Sequence, residues 1–160
     1  MRTAIRSPLL ALALIVVFAG TVLATPANSG FHPTTLARGT MSESVQYNTG
    51  AVKFQTKGAV DFVTVTITID PLGSSGWHAH PGVLLVTVAS GTETFYNEHC
   101  VGTVHAAGTA SASFVESGND AFVAHNESTT TPVVVYVTYI VPAGTTTLRI
   151  DKPNPGCPQN

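Results

Sequence analysis

The sequence predicts an all-β chain folded as one barrel or sandwich, and three observations carry that expectation. From residue 25 onward no segment shows helical periodicity over ten residues. Short apolar or alternating runs recur at regular spacing with glycine-bearing turns between them, the pattern of closed or double-sheet β architectures. Asp61 to Asp70, DFVTVTITID, alternates without a break: Val63, Val65, Ile67 and Ile69 share one face, and Phe62, Thr64, Thr66 and Thr68 the other. Successive side chains of a strand point to opposite faces, so this segment is a strand with one buried side.

The amino terminus stands apart from that pattern. Arg2 and Arg6 precede an apolar run from Leu9 to Phe18, and small residues follow around Val22-Leu23-Ala24. A positive start, a short apolar centre and a small-residue end describe a secretory signal peptide, residues 1–24, cleaved near Ala24. The apolar run from Leu9 to Ala19 is 11 residues long, against the ~20 that a spanning helix needs. The mature protein is therefore expected to be secreted or periplasmic, with no stable membrane span. What remains, roughly 136 residues, suits one domain with its own core. Charged residues make up 10% and the formal net charge is −2, so nothing offers a basic surface to a polyanion, which excludes nucleic acid as a partner.

Residues 25–34 are small, polar and proline-bearing, and read as a flexible lead-in to a barrel domain over 35–152. Phe31 to Lys57, broken at Gly39, Gly50 and Gly58, supplies an opening strand and an edge hairpin. Pro71 to Gly76 is a loop delivering the chain into Trp77. Ser90-Gly91 is expected to turn the chain so that Thr92 to Tyr96 returns as the second arm of a central hairpin. Thr103 to Ala107 reads as a short strand carrying His105. Phe114 to Glu116 and Ala121 to His125 read as strands either side of the turn Ser117-Gly118-Asn119-Asp120. Pro132 to Val141, PVVVYVTYIV, reads as a fully buried strand, and Gly144 to Asp151 as the last one. In an exported chain the even count of Cys100 and Cys157 predicts one disulfide, tying the tail 153–160 to the loop after the hairpin. Two free thiols in a reducing compartment are the alternative, which the leader disfavours.

Gly73 to Tyr96, GSSGWHAHPGVLLVTVASGTETFY, carries the candidate chemistry. His78 and His80 stand two apart on a strand-like segment, so they share a face about 6.6 Å from each other, near enough to bind one ion from the same side. Gly82, Leu84, Val86 and Val88 continue the same parity, which turns the histidines toward the interior. Two readings stay open. The pair ligates a metal, or it lines the mouth of a pocket, hydrogen-bonded to threonines, backbone or water. In the second reading Trp77, Leu84, Tyr96, Phe122 and Tyr136 make the pocket largely apolar and aromatic, with the imidazoles as its polar groups, the usual build of a small-molecule site.

GWHAHPG followed by VLLVTVASGTETFY resembles the first motif of the cupin superfamily, in its small single-domain branch of cupin 2 type. The resemblance spans roughly residues 35 to 152. It implies a double-stranded β-helix, a jelly-roll barrel with little or no helix beyond the leader. Such a motif follows its His-x-His pair with a glutamate three or four residues on, and then a glycine about seven residues later. Here Gly91 is in place, but Leu84 or Leu85 stands where the acid belongs. Glu116 to Asn126 resembles the second motif, with Gly118 and Asn126 at the glycine and asparagine positions and Phe122 at the histidine. An asparagine in that place is structural in cupin-like chains, although Asn126-Glu127-Ser128 also reads as a glycosylation acceptor.

Three histidines and a glutamate hold the ion in metal-bearing cupins, an arrangement suited to Zn, Mn, Fe, Ni or Cu. This chain keeps His78 and His80 of the four, so the resemblance implies a divalent transition metal bound weakly. His125 points to the opposite face of its strand from Phe122 and Asn126 and would need a bulge to turn inward. His99 and His105 lie beyond the central hairpin. The resemblance also implies a homodimer. The expected function is an exported protein binding a small molecule, or weakly a divalent metal ion, in its barrel. A metal-dependent enzyme of dioxygenase or isomerase type is the alternative by family analogy, and a non-catalytic interaction scaffold is a second. No nucleophile–base pair with recognisable spacing appears and the carboxylates are scattered, so no catalytic residue is nominated.

Overall fold

Residues 30–159 are described in a computed structural model. The expected leader and most of the lead-in fall outside them. Twelve strands follow in chain order: β1 (Phe31–Met41), β2 (Gln46–Thr49), β3 (Val52–Gln55), β4 (Val60–Ile69), β5 (His78–Ala79), β6 (Val83–Ser90), β7 (Thr92–Asn97), β8 (Gly102–Ala106), β9 (Ser113–Glu116), β10 (Phe122–His125), β11 (Val133–Pro142) and β12 (Ile150–Asp151). Among the described residues there is no helix. Two five-stranded sheets, in the orders β1-β4-β11-β6-β9 and β12-β5-β10-β7-β8, pack face to face as a jelly roll, and β2 with β3 forms a separate ribbon.

The core follows from strand parity. β4 turns Val63, Val65, Ile67 and Ile69 inward, as its alternation predicts, and β6 adds Leu84, Val86 and Val88. Val133, Val135, Val137, Tyr139 and Val141 of β11 lie between them, and Ala124 and the partly buried Phe95 face them from the other sheet. β-Branched rows on adjacent strands suit a pleated, half-buried surface.

Four expectations are corrected. β11 is not buried on both faces: its inward residues alternate with half-buried Val134, Thr138 and Ile140 and with Tyr136, which is 48% exposed. Only one face of its sheet is covered by the other sheet, so every second residue meets solvent. Ser90-Gly91 does not close a hairpin, because β6 pairs with β11 and β9 whereas β7 pairs with β10 and β8. The turn instead carries the chain from one sheet to the other. Gly91 makes that corner with φ +77°, and a Cβ there would stand 2.7 Å from the Pro132 carbonyl oxygen. The barrel begins at Phe31, inside the stretch expected to be flexible, because β1 pairs along β4 from Phe31 opposite Ile69 to Met41 opposite Val60. Of Gly144 to Asp151, only Ile150–Asp151 forms a strand, pairing with β5.

Cys100 and Cys157 are joined, with a sequence separation of 57 and Cα atoms 5.3 Å apart. Cys157 packs with Trp77 and Val123 in a second, smaller apolar cluster, flanked by Tyr96 and Ala121. Trp77 Nε1 donates to the Gln159 carbonyl at 2.9 Å, and the Lys152 amide donates to the Trp77 carbonyl at 2.9 Å. Asn154 caps the final turn, its Oδ1 accepting from the amides of Gly156 and Cys157. The tail is thus docked along its length.

Asn126 is fully buried and ties three segments together. Its Nδ2 donates to the carbonyls of Ile69 (3.0 Å), Asp70 (3.0 Å) and Thr131 (2.9 Å), while its Oδ1 accepts from the Ser128 amide. This is a structural role, and it leaves the amide inaccessible to a modifying enzyme in the folded state.

Two predictions concern stability. Asn126→Asp sets an acceptor against three carbonyls and should cost about 3 kcal/mol or more, read as a lower denaturation midpoint, whereas Glu127→Gln next to it should change little. Replacing both cysteines by serine should cost about 4 kcal/mol by loop-closure entropy, and adding reductant to the parent should lower Tm to the value of that variant.

Candidate functional site

His78 lies on β5 and His80 just beyond it, where the chain is pinned by a close backbone crossing. The His80 amide donates to the Gly118 carbonyl at 2.6 Å. Gly118 has φ +86°, and a Cβ on it would fall 1.7 Å from the Gly82 carbonyl oxygen, so only glycine lets the two segments approach. Both imidazoles are buried. His78 Nδ1 lies 2.8 Å from the Gly76 carbonyl and His80 Nδ1 2.6 Å from the Leu148 carbonyl. A carbonyl only accepts, so each Nδ1 carries the proton and each Nε2 is left as a lone pair. The rings meet edge to face at 4.6 Å, and Tyr139 lies against His80 at 5.3 Å. Burial holds both in the neutral form. It lowers His78 to about 3, with the His80 and Arg149 charges adding to the effect, and it lowers His80 as well.

Two carboxyls share this interior. Glu116 on β9 pairs directly opposite Leu84 on β6, and its Oε2 comes to 3.5 Å from His80 Nε2. Glu93 on β7 enters from the other sheet and is 2% exposed, and its Oε1 has no hydrogen-bond partner. Burial raises Glu93 to about 7. It raises Glu116 to about 8, with the Glu93 charge adding to the rise. Tyr139 is also pushed up, by burial and then by Glu116. An ionised carboxylate in so apolar a place is costly unless paired, so both glutamates keep their protons well above the usual carboxylate range.

These groups surround two adjoining spaces. An inner chamber of about 30 Å³ is lined by His78, His80, Leu84, Glu93, Glu116 and Tyr139 among apolar core residues. A mouth pocket of about 240 Å³ is lined by Pro33, Thr35, Val65, Leu148 and Arg149, and it shares Phe31, His78, His80 and Tyr139 with the chamber. Arg149 is ion-paired with Asp151 at the rim.

Of the residues expected to line the pocket, Leu84 does so and four do not. Trp77 neighbours His78, so it points to the opposite face and packs on the docked tail. Tyr96 alternates with Phe95 and lies on that same outer side, its hydroxyl donating to Glu127 Oε1 at 3.0 Å. Phe122 pairs with His78 across the sheet, but its ring packs on Phe95 at 4.7 Å and lines a surface depression with Asn97, Glu98, His99 and Asp120. Tyr136 sits between the inward Val135 and Val137 and faces solvent. His105 is buried away from the pair, stacked on Phe114 with Nδ1 at 2.7 Å from the Ser111 carbonyl, and His125 rests against Tyr96. Sequence reasoning missed Glu93, Glu116, Tyr139 and Arg149. The available signal was an acid in step with an inward aromatic, Glu93 with Phe95 and Glu116 with Phe114.

The donor types a transition metal prefers are present, yet no three His, Cys, Asp or Glu side chains among the described residues converge to hold an ion. His80 Nε2 faces Glu116 Oε2 at 3.5 Å. The residues do not fit a preformed metal centre.

No family model and no curated relative matches the chain. Solved structures do. A conserved protein with a double-stranded β-helix domain from Klebsiella pneumoniae matches with TM-score 0.51 at 16% identity, over 79% of this chain and 90% of that one. A cupin domain from Bordetella pertussis matches with TM-score 0.47 at 18% identity, over 74% and 97%. An oxalate oxidase matches with TM-score 0.42 at 18% identity, over 51% and 46%. The chain has the double-stranded β-helix fold of cupin-type proteins.

The buried acids make stability depend on pH. The unfolded histidines lose their protons around pH 6.5, so by about pH 7.5 the glutamates alone distinguish the two states. The folded chain keeps protons on them that the unfolded chain has released, and stability falls wherever the folded state binds more. Tm should therefore drop as pH rises from about 7 through the Glu116 value of about 8 and level off only beyond it. Glu93→Gln should flatten that slope in a calorimetric pH series.

Proposed function

We propose that this chain is an exported cupin-fold binding protein that takes a small molecule in the barrel mouth, against His78 and His80. The observation that carries this reading is the mouth pocket itself: about 240 Å³ of space with apolar walls ending on two neutral imidazoles. Concave, mostly apolar spaces with a few convergent polar groups are how small-molecule sites are built. Export is supported by the leader pattern and by the Cys100–Cys157 disulfide, which persists in oxidising compartments. A divalent metal ion fits less well, since His78 and His80 supply two ligands and no three His, Cys, Asp or Glu side chains among the described residues converge on one point. Any such ion should bind weakly.

Ligand-observed NMR with a set of small fragments tests the reading. Fragments should bind the parent, and Thr35→Trp, which fills the mouth from an exposed position, should weaken them at least about tenfold, or 1.4 kcal/mol, without lowering Tm. Equal binding by parent and variant would place the site elsewhere. One equivalent of Zn or Mn retained through chelator dialysis would favour the metal reading instead.

A further inference from the structure

We propose that the inner chamber selects ligands carrying a primary ammonium head, seated among the His78 and His80 Nε2 atoms, Glu93 and Glu116. This rests on reading the barrel mouth as a small-molecule site. Both Nδ1 atoms are committed to carbonyls, so His78 and His80 present lone pairs to the interior. Glu93 Oε1 is buried with no partner, and Glu116 makes only a 3.5 Å approach to His80 Nε2. Glu93 and His78 come from one sheet and Glu116 and Tyr139 from the other, so the acceptors surround the space instead of lining one wall.

Two imidazole lone pairs and the carboxyl oxygens of Glu93 and Glu116 offer more acceptor sites than the three hydroxyls of Glu93, Glu116 and Tyr139 offer donors, in a chamber of about 30 Å³, room for one small polar group. A primary ammonium brings three N–H donors and a positive charge, and its arrival favours release of the Glu93 proton to solvent, so that ammonium and carboxylate pair. It reaches acceptors at about 2.7–3.2 Å along separate directions. A transition metal needs its ligands to converge at about 2.0–2.2 Å, which these side chains do not do. A hydroxyl head donates once, and a carboxylate head donates nothing and would stand against the His78 and His80 lone pairs. Phe31, Pro33, Val65 and Leu148 form apolar walls for the tail of such an amine. Arg149 opposes a cation here, as its charge opposes protonation of His78 and His80, and its pairing with Asp151 at the rim offsets part of that, so the attraction has to come from an ionised Glu93.

Benzylamine, benzyl alcohol and benzoate share one shape and differ only in the head group. Their dissociation constants, from NMR titration near pH 7, should rank the amine at least about tenfold tighter than the alcohol, a difference of 1.4 kcal/mol. Glu93→Gln, which keeps the shape but cannot ionise to pair with the ammonium, should bring the amine down to the level of the alcohol and leave the alcohol unchanged. Benzoate binding as tightly as the amine would overturn the proposal and give the choice of ligand to Arg149. An equal loss for amine and alcohol in the variant would also overturn it, reducing Glu93 to a packing residue. If none of the three binds while other fragments do, the ammonium head is wrong and the binding reading stands. If no fragment binds at all, both fall.

Discussion

Four ionisable side chains have to share a barrel interior otherwise lined by valine, isoleucine and leucine, and the rest of the site follows from that constraint. Charges taken out of water cost several kcal/mol apiece unless they are well paired. His78, His80, Glu93 and Glu116 meet this by staying neutral. Once the imidazoles are neutral, the backbone decides their tautomer: Gly76 and Leu148 each take one proton and turn the other nitrogen inward. What burial leaves over is a surplus of acceptors, most plainly Glu93 Oε1.

The wall of the mouth is supplied from far along the chain. β5 sends His78 inward and Trp77 outward, a direct result of strand alternation, so the segment that builds the site also builds a seat for the tail. Trp77 packs on Cys157 and bonds the Gln159 carbonyl, and Cys157 is linked to Cys100. The tail so anchored presents the Leu148 carbonyl to His80 and Arg149 to the mouth. The disulfide therefore bears on the geometry of the site as well as on stability, although no atom of it touches the cavity lining.

Glu116 stands across from Leu84 in register, and this alters the meaning of the apolar residue where the cupin pattern has an acid. A carboxyl does reach the histidine pair, from a different strand. It arrives protonated and without the further ligands that would draw it to an ion, so the neighbourhood of the usual acid is kept while the chemistry differs.

The sequence by itself determined the fold class, the alternation of β4 and β6, the inward parity of His78 and His80 and the pairing of the cysteines. All of these depend on local periodicity or on a count, and a chain carries those without folding. Tertiary structure decided the sheet to which each strand belongs, which is why the expected hairpin at Gly91 became a crossing and Tyr136 an outward residue. It also decided which acids meet the histidines. Glu93 and Glu116 are 13 and 36 residues from His80; pairing of β10 with both β5 and β7 brings in Glu93, and register across β6 and β9 with the packing of one sheet on the other brings in Glu116. Pairing register is a relation between distant segments, set by how the whole set of inward faces fits together, and no local pattern encodes it.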